Sequence, residues 1–217
     1  MSVKIKSLQY SEEISFYTHL AGLFLSFIGL LPFLGTPYLA VKGKVSSIIF
    51  ILSIAIMFFA SAVYHFTKKS ENNESIWRRL DHMAIFIAIA GTYTPYSYIY
   101  LDGYWKWSII ILQWTLAIAG ILFKLFFLKA PRALYTGLYL AMGWVAIIPL
   151  RQLIKAMPLS VTLLVFTGGI FYTIGAIIYA RKKPDPKPGF FGFHEIFHIC
   201  IIIAAIAHYT GIYISVF

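Results

Sequence analysis

Residues 45–66 read VSSIIFILSIAIMFFASAVYHF, a stretch of twenty-two residues without Asp, Glu, Lys or Arg. A helix rising about 1.5 Å per residue needs roughly 20 such residues to cross the hydrocarbon of a bilayer. Six further runs share this character, at approximately 16–41, 83–101, 106–128, 133–151, 157–180 and 193–217. Composition agrees, because 60% of the 217 residues are hydrophobic and 12% are charged, whereas ordinary soluble domains are about 25% charged. The expected fold is therefore all-α, an integral membrane bundle of seven transmembrane helices. The connections are short, so residues 1–217 are read as a single transmembrane domain in the cell membrane.

Two features bound the chain further. Glu12 and Glu13 precede the first apolar run, and no short apolar core with a small-residue cleavage site follows, so the first helix is expected to be retained. Cys200 is the single cysteine, which excludes an internal disulfide and a thiolate zinc cluster. Pro184, Pro186 and Pro188 make a stiff polar connector before the last helix.

The formal charge of +10 follows topology. Seven alternating helices place thirteen basic residues on the N-terminal side: Lys4, Lys6, Lys68, Lys69, Arg78, Arg79, Lys124, Lys129, Arg132, Arg181, Lys182, Lys183 and Lys187. The opposite side holds five, Lys42, Lys44, Lys106, Arg151 and Lys155. An excess of Lys and Arg marks the cytoplasmic face, so the N-terminus is expected in the cytoplasm and the C-terminus outside. No basic groove interleaved with stacking aromatics appears, which argues against nucleic acid. Tyr96, Tyr98, Tyr100, Tyr104, Trp105 and Trp107 read as an interfacial aromatic belt.

Ionisable groups at membrane depth are costly and concentrate where function needs them. On this topology His19 begins helix 1, His65 ends helix 2, Asp81 and His82 begin helix 3, and His194 and His198 begin helix 7. All fall in one cytoplasmic layer. His194 and His198 are four residues apart, on one helix face and within reach of one cation. The string His194-Glu195-Ile196-Phe197-His198 also fits the H-E-x-x-H pattern, in which the glutamate is the general base of a metalloprotease. Downstream, however, the one further metal-binding candidate is His208, about 15 Å along the same helix, too far to share the metal. The third ligand has to come from upstream, and His65 lies at the right depth.

Ser61 sits one turn before His65 and is placed to hydrogen-bond a metal-bound water or a substrate oxygen. Asp81 is the acid nearest the start of helix 3, suited to accept a proton from water at a metal. The alternatives are a helix cap or a partner for Arg78 or Arg79 in the case of Asp81, and a hydroxyl bonded back to its own turn in the case of Ser61. Glu12, Glu13 and His19 are candidates for orienting a ligand imidazole, with the positive end of helix 1 as the alternative role for the two acids. His82, His208 and Cys200 read as packing residues, and Gly91-Thr92-Tyr93-Thr94-Pro95 as a kink with close helix packing.

Ser61-x3-His65 followed by Asp81, together with His194-x3-His198 and the first-helix residues Glu12, Ser15 and His19, resembles the hemolysin III branch of the progestin and adipoQ receptor family, related to alkaline ceramidases. The resemblance spans nearly the whole chain. Ser15 departs from it, since asparagine is expected there. The resemblance implies zinc on His65, His194 and His198, with Asp81 and Ser61 around a bound water. It points to a zinc-dependent hydrolase of a membrane lipid amide or ester, with an acyl chain held in the bundle. Two other functions fit the family: a receptor-like or membrane-homeostasis protein with structural zinc, and a cytolysin. The sequence names neither the lipid nor the oligomeric state.

Overall fold

All but one of the long apolar runs form a single helix in the computed structural model, which describes residues 2–36, 41–68, 75–127 and 131–217, the side chains of residues 2–10, 41 and 42 excepted. The side chains of Lys4, Lys6 and Lys42, and the whole of Lys69 and Lys129, lie outside the described residues. The helices are α1 (Ser2–Gly35), α2 (Val41–Thr67), α3 (Ile76–Tyr100), α4 (Gly103–Phe126), α5 (Arg132–Gly143), α6 (Leu150–Ala156), α7 (Leu159–Arg181) and α8 (Phe193–Val216).

Five of these, α1, α2, α4, α7 and α8, are long and apolar enough to cross a membrane, and the bent pair α5–α6 makes a sixth. Large apolar side chains such as Phe24, Ile28, Leu31, Ile111 and Leu163 stand exposed on their outer faces. Exposed apolar surface of this extent is stable only against lipid or a partner. The chain is a multi-pass membrane protein.

Helix α3 has the length of a span but a more polar composition. Its first two turns carry Arg78, Arg79, Asp81 and His82, and ten of its residues from Ala84 to Ser97 are buried. It packs against α2, α4, α5 and α8, so protein rather than lipid surrounds much of it. The helix begins at Ile76, seven residues earlier than expected, because Ser75 caps it by accepting the Arg78 backbone N–H. Asp81 is therefore in the second turn and not at the start.

The α2–α3 seam is unusually close at Gly91. A methyl group added there would lie 2.2 Å from Ser53 Oγ and 2.3 Å from its Cβ. Gly91→Ala is expected to destabilise the bundle by about 1–3 kcal/mol through overpacking. The readout is the thermal midpoint of the purified protein in detergent; an unchanged midpoint refutes the close seam.

The fifth run, expected as one helix over 133–151, is broken. A 3-10 turn at Trp144–Ile147 separates α5 from α6, and the axis of Arg132–Ile147 differs from that of α6 by 58°. Pro149 cannot donate an N–H, and the groups freed by the break find side chains. Tyr93 donates to Gly143 O at 2.6 Å and accepts from Ala146 N at 2.7 Å, while Gln113 Nε2 donates to Met142 O at 2.9 Å. Irregular backbone at membrane depth is tolerated where it faces protein or a cavity, and Gly143, Ala146 and Pro149 line one.

The aromatic belt is only partly as expected. Tyr104 and Trp107 are exposed, but Tyr96 is buried and donates to His208 O, and Tyr100 donates to Ser215 Oγ. Both tyrosines tie α3 to α8.

Candidate metal centre

The end of the bundle that bears Lys68, Arg78, Lys124 and Arg132 gathers the histidines. His65 near the end of α2 and His194 and His198 at the start of α8 offer nitrogens that all lie within 4.8 Å of one another. His65 Nε2 and His194 Nε2 are 3.2 Å apart. Two imidazoles on one tetrahedral zinc at about 2.0–2.1 Å have their nitrogens roughly 3.3 Å apart, so the separation suits a shared cation. His65 and His198 are buried.

Helix α1 places side chains against the Nδ1 atoms of two of the rings, His65 and His198. Glu12 Oε2 lies 2.6 Å from His65 Nδ1 and also pairs with Lys68. A carboxylate at Nδ1 places the ring proton there and leaves the Nε2 lone pair for a metal. Thr18 donates its one hydroxyl proton to the Ile14 and Ser15 carbonyls, so its oxygen accepts from His198 Nδ1 at 3.5 Å. His198 Nε2 is thereby free to bind. His19 stacks on His198 with centroids 3.6 Å apart. Three imidazoles within reach of one cation form a donor set that fits a borderline metal such as zinc.

A family description, haemolysin-III related, matches residues 9–209. The chain belongs to the haemolysin-III-related family. It is 37% identical over 139 residues to the hemolysin-3 homolog of Bacillus subtilis (strain 168), covering 64% of this chain and 65% of that protein. It is 36% identical over 129 residues to the hemolysin-3 of Bacillus cereus, covering 59% and 56%. The adiponectin receptor protein of Drosophila melanogaster is 28% identical over 228 residues, covering 94% of this chain and 50% of the receptor. The chain thus spans between half and two thirds of the length of these relatives.

In this haemolysin-III-related protein Ser61 and Asp81 join the same end. Ser61 lies close to the Asp81 carboxylate, and His65 is near enough to act on that carboxylate electrostatically. Both residues, with His19, His194 and His198, line a cavity of about 330 Å³. The cavity runs past Ile85, Ile89 and Tyr93 to Met157, Val165 and His208 deep in the bundle. His208 is absent from the metal-ligand group and stacks on Tyr172. Cys200 is buried and free, consistent with packing.

The H-E-x-x-H alternative fails on the position of its glutamate. Glu195 Oε2 accepts the Gly192 N–H at 2.7 Å, and Oε1 accepts from Ser11 and Ser15 at 2.5 and 3.1 Å. It is 2% exposed and clamps the start of α8 to α1. Ser15 therefore has a role that does not require asparagine. Thr18, Ser11 and Lys68 were not singled out by sequence. The signal for Thr18 was its place three residues after Ser15, which puts the two on one side of α1.

Glu12→Gln is expected to weaken zinc binding about 10–100-fold, the usual effect of losing an outer partner of a ligand histidine. Competition against a fluorescent chelator measures it. Affinity within a factor of two of the parent contradicts the orienting role.

Proposed function

We propose that this protein is a zinc-dependent hydrolase of a lipid amide or ester, built on seven membrane-crossing helices with α3 as the seventh and the N-terminus in the cytoplasm. One observation carries the proposal: His194 and His198, which cluster with His65, share the lining of one cavity with the Asp81 carboxylate and with apolar side chains such as Ile85, Met157 and Val165. The thirteen-to-five division of basic residues supports the orientation.

His65, His194 and His198 would hold the metal, and zinc bound there would supply a Lewis acid for a carbonyl and lower the pKa of water at the site. Ser61, close to the Asp81 carboxylate, would orient it by a hydrogen bond during the reaction. Asp81 takes the proton of the attacking water and returns it to the departing amine or alcohol. The apolar wall holds the acyl chain; Asp81 and Ser97 of α3 both line the cavity, and sixteen residues of helix span about 24 Å. A tail fixed over such a length positions the carbonyl beside Asp81.

Fatty-acid release from acyl amides and esters in mixed micelles tests the proposal. Release should stop on chelation and return with zinc. Protein carrying zinc but releasing nothing from a panel of neutral and anionic substrates overturns it. A structural role for the metal is favoured instead by the way its ligands and their partners join α1, α2 and α8. That role predicts stabilisation by zinc without turnover.

A further inference from the structure

The deep end of the cavity is not wholly apolar. His208 of α8 and Tyr172 of α7 line it there, beside Val165 and Met157. Ten residues of α8, about 15 Å, separate His208 from His198, and His208 lies outside the metal-ligand group.

His208 is 6% exposed, and its Nδ1 is buried without a hydrogen-bond partner among the described residues. Its Nε2 lies over Gly168, where a methyl group would fall 2.4 Å away, and glycine has no side chain to meet that nitrogen. The Tyr172 ring stacks on the imidazole with centroids 5.7 Å and planes 19° apart. Tyr96 stands edge-on at 5.8 Å and donates its hydroxyl to the His208 carbonyl rather than to the ring. The Tyr172 hydroxyl forms no hydrogen bond with a described residue.

An imidazole carries at least one N–H in every protonation state, and a phenol carries an O–H. Buried polar groups almost always find partners, because leaving them without one is unfavourable. Packing alone does not ask for these atoms, since phenylalanine would fill both places without them. The partner they suit is neutral. The basic residues that line the cavity, Arg78, Arg79, Lys124 and Arg132, belong to the end that holds Asp81, so an anion beside His208 would meet no counter-charge. A hydroxyl both donates and accepts, and it can satisfy the imidazole and the phenol together. The wall between the two ends is largely apolar, which makes the connecting part of the ligand hydrocarbon. About 15 Å is the length of roughly a dozen extended methylenes.

We propose that His208 and Tyr172 form a second polar subsite, which binds a hydroxyl carried on the acyl chain roughly a dozen carbons from its carbonyl. Hydroxylated long-chain lipids are then the preferred ligands of the cavity. The inference deepens the hydrolase reading and rests on it only for seating the carbonyl at the metal end.

Native mass spectrometry of the detergent-solubilised full chain tests this with 12-hydroxystearate, stearate and 6-hydroxystearate, whose hydroxyl falls against the apolar wall. The 12-hydroxy acid should be retained about tenfold more tightly than either comparator, in keeping with one or two added hydrogen bonds. His208→Phe and Tyr172→Phe keep an aromatic ring and remove the polar atoms. Each should shrink the ratio of 12-hydroxystearate to stearate at least about threefold. Equal retention of the three acids overturns the inference and leaves the deep end to packing or water. Equal gains for both hydroxy acids overturn the position of the subsite, and an unchanged ratio in both variants overturns its residues. Should a variant misfold, the parent's preference among the acids decides by itself. Fatty-acid release is measured separately: its absence with the preference intact refutes the hydrolase alone, and release without the preference refutes the subsite alone.

Discussion

Asp81→Asn should lower lipid hydrolysis about 10²–10⁴-fold while the protein keeps its zinc, the range that one positioned proton acceptor contributes. The substitution preserves size and the ability to face Ser61 but removes the basic oxygen. Asp81 is not among the three nitrogen ligands, so metal content by elemental analysis should match the parent. On the proposed mechanism the cavity that admits substrate is unaltered, so the loss should appear in kcat with KM little changed. Loss of zinc together with activity would make Asp81 a ligand or a structural support. Unchanged turnover would remove it from the chemistry and leave the metal a fastening role.

The second large effect is on metal retention and stability. His198→Ala removes one of the three candidate ligands, and on the proposed zinc site the metal should fall from about one ion per chain toward none after purification in detergent. A ligand present at about 100 times its dissociation constant stabilises the folded state by about 2.7 kcal/mol, which for a chain of this length corresponds to a fall of about 5–10 °C in the thermal midpoint. His198 is also fully packed, with His19 stacked on it, so lost packing adds to the change. His208→Ala separates the two effects. His208 is on the same helix and equally enclosed, but lies outside the ligand group. It should lower the midpoint while zinc remains. Equal zinc loss in both variants would refute the assignment of the ligands.

Much of the architecture was legible because burial in lipid is written into each residue's own transfer free energy. The runs near 16–41, 45–66, 106–128, 157–180 and 193–217 need no knowledge of neighbours to be read as helices. Helix α3 was harder to delimit, since Ser75 capping begins it outside the apolar stretch. The break at Trp144–Ile147 was missed for a different reason. Pro149 is compatible with a helix end or a kink, and only Tyr93 and Gln113, from other helices, make the broken form stable.

The site divides along the same line. The spacing of His194 and His198 lies within one helix, so sequence alone places them on one face. Glu12 with His65 and Ser15 with Glu195 pair across 53 and 180 residues, and no local pattern fixes the rotation of one helix against another. For that reason Glu12 had two open roles until packing brought it to His65, and Glu195 looked like a base until Ser11 and Ser15 were found on it.

The sequence by itself determined that this chain lives in a membrane as a helical bundle with histidines at one depth, because hydropathy and helical rise are local properties. Only the tertiary structure decided which polar groups meet. It joined three imidazoles, turned Lys124 and Arg132 from apparent topology signals into cavity wall, and gave Glu195 to a helix clamp. The reason is physical: those outcomes depend on how helices rotate and pack, a balance of many contacts distant in sequence that no single segment contains.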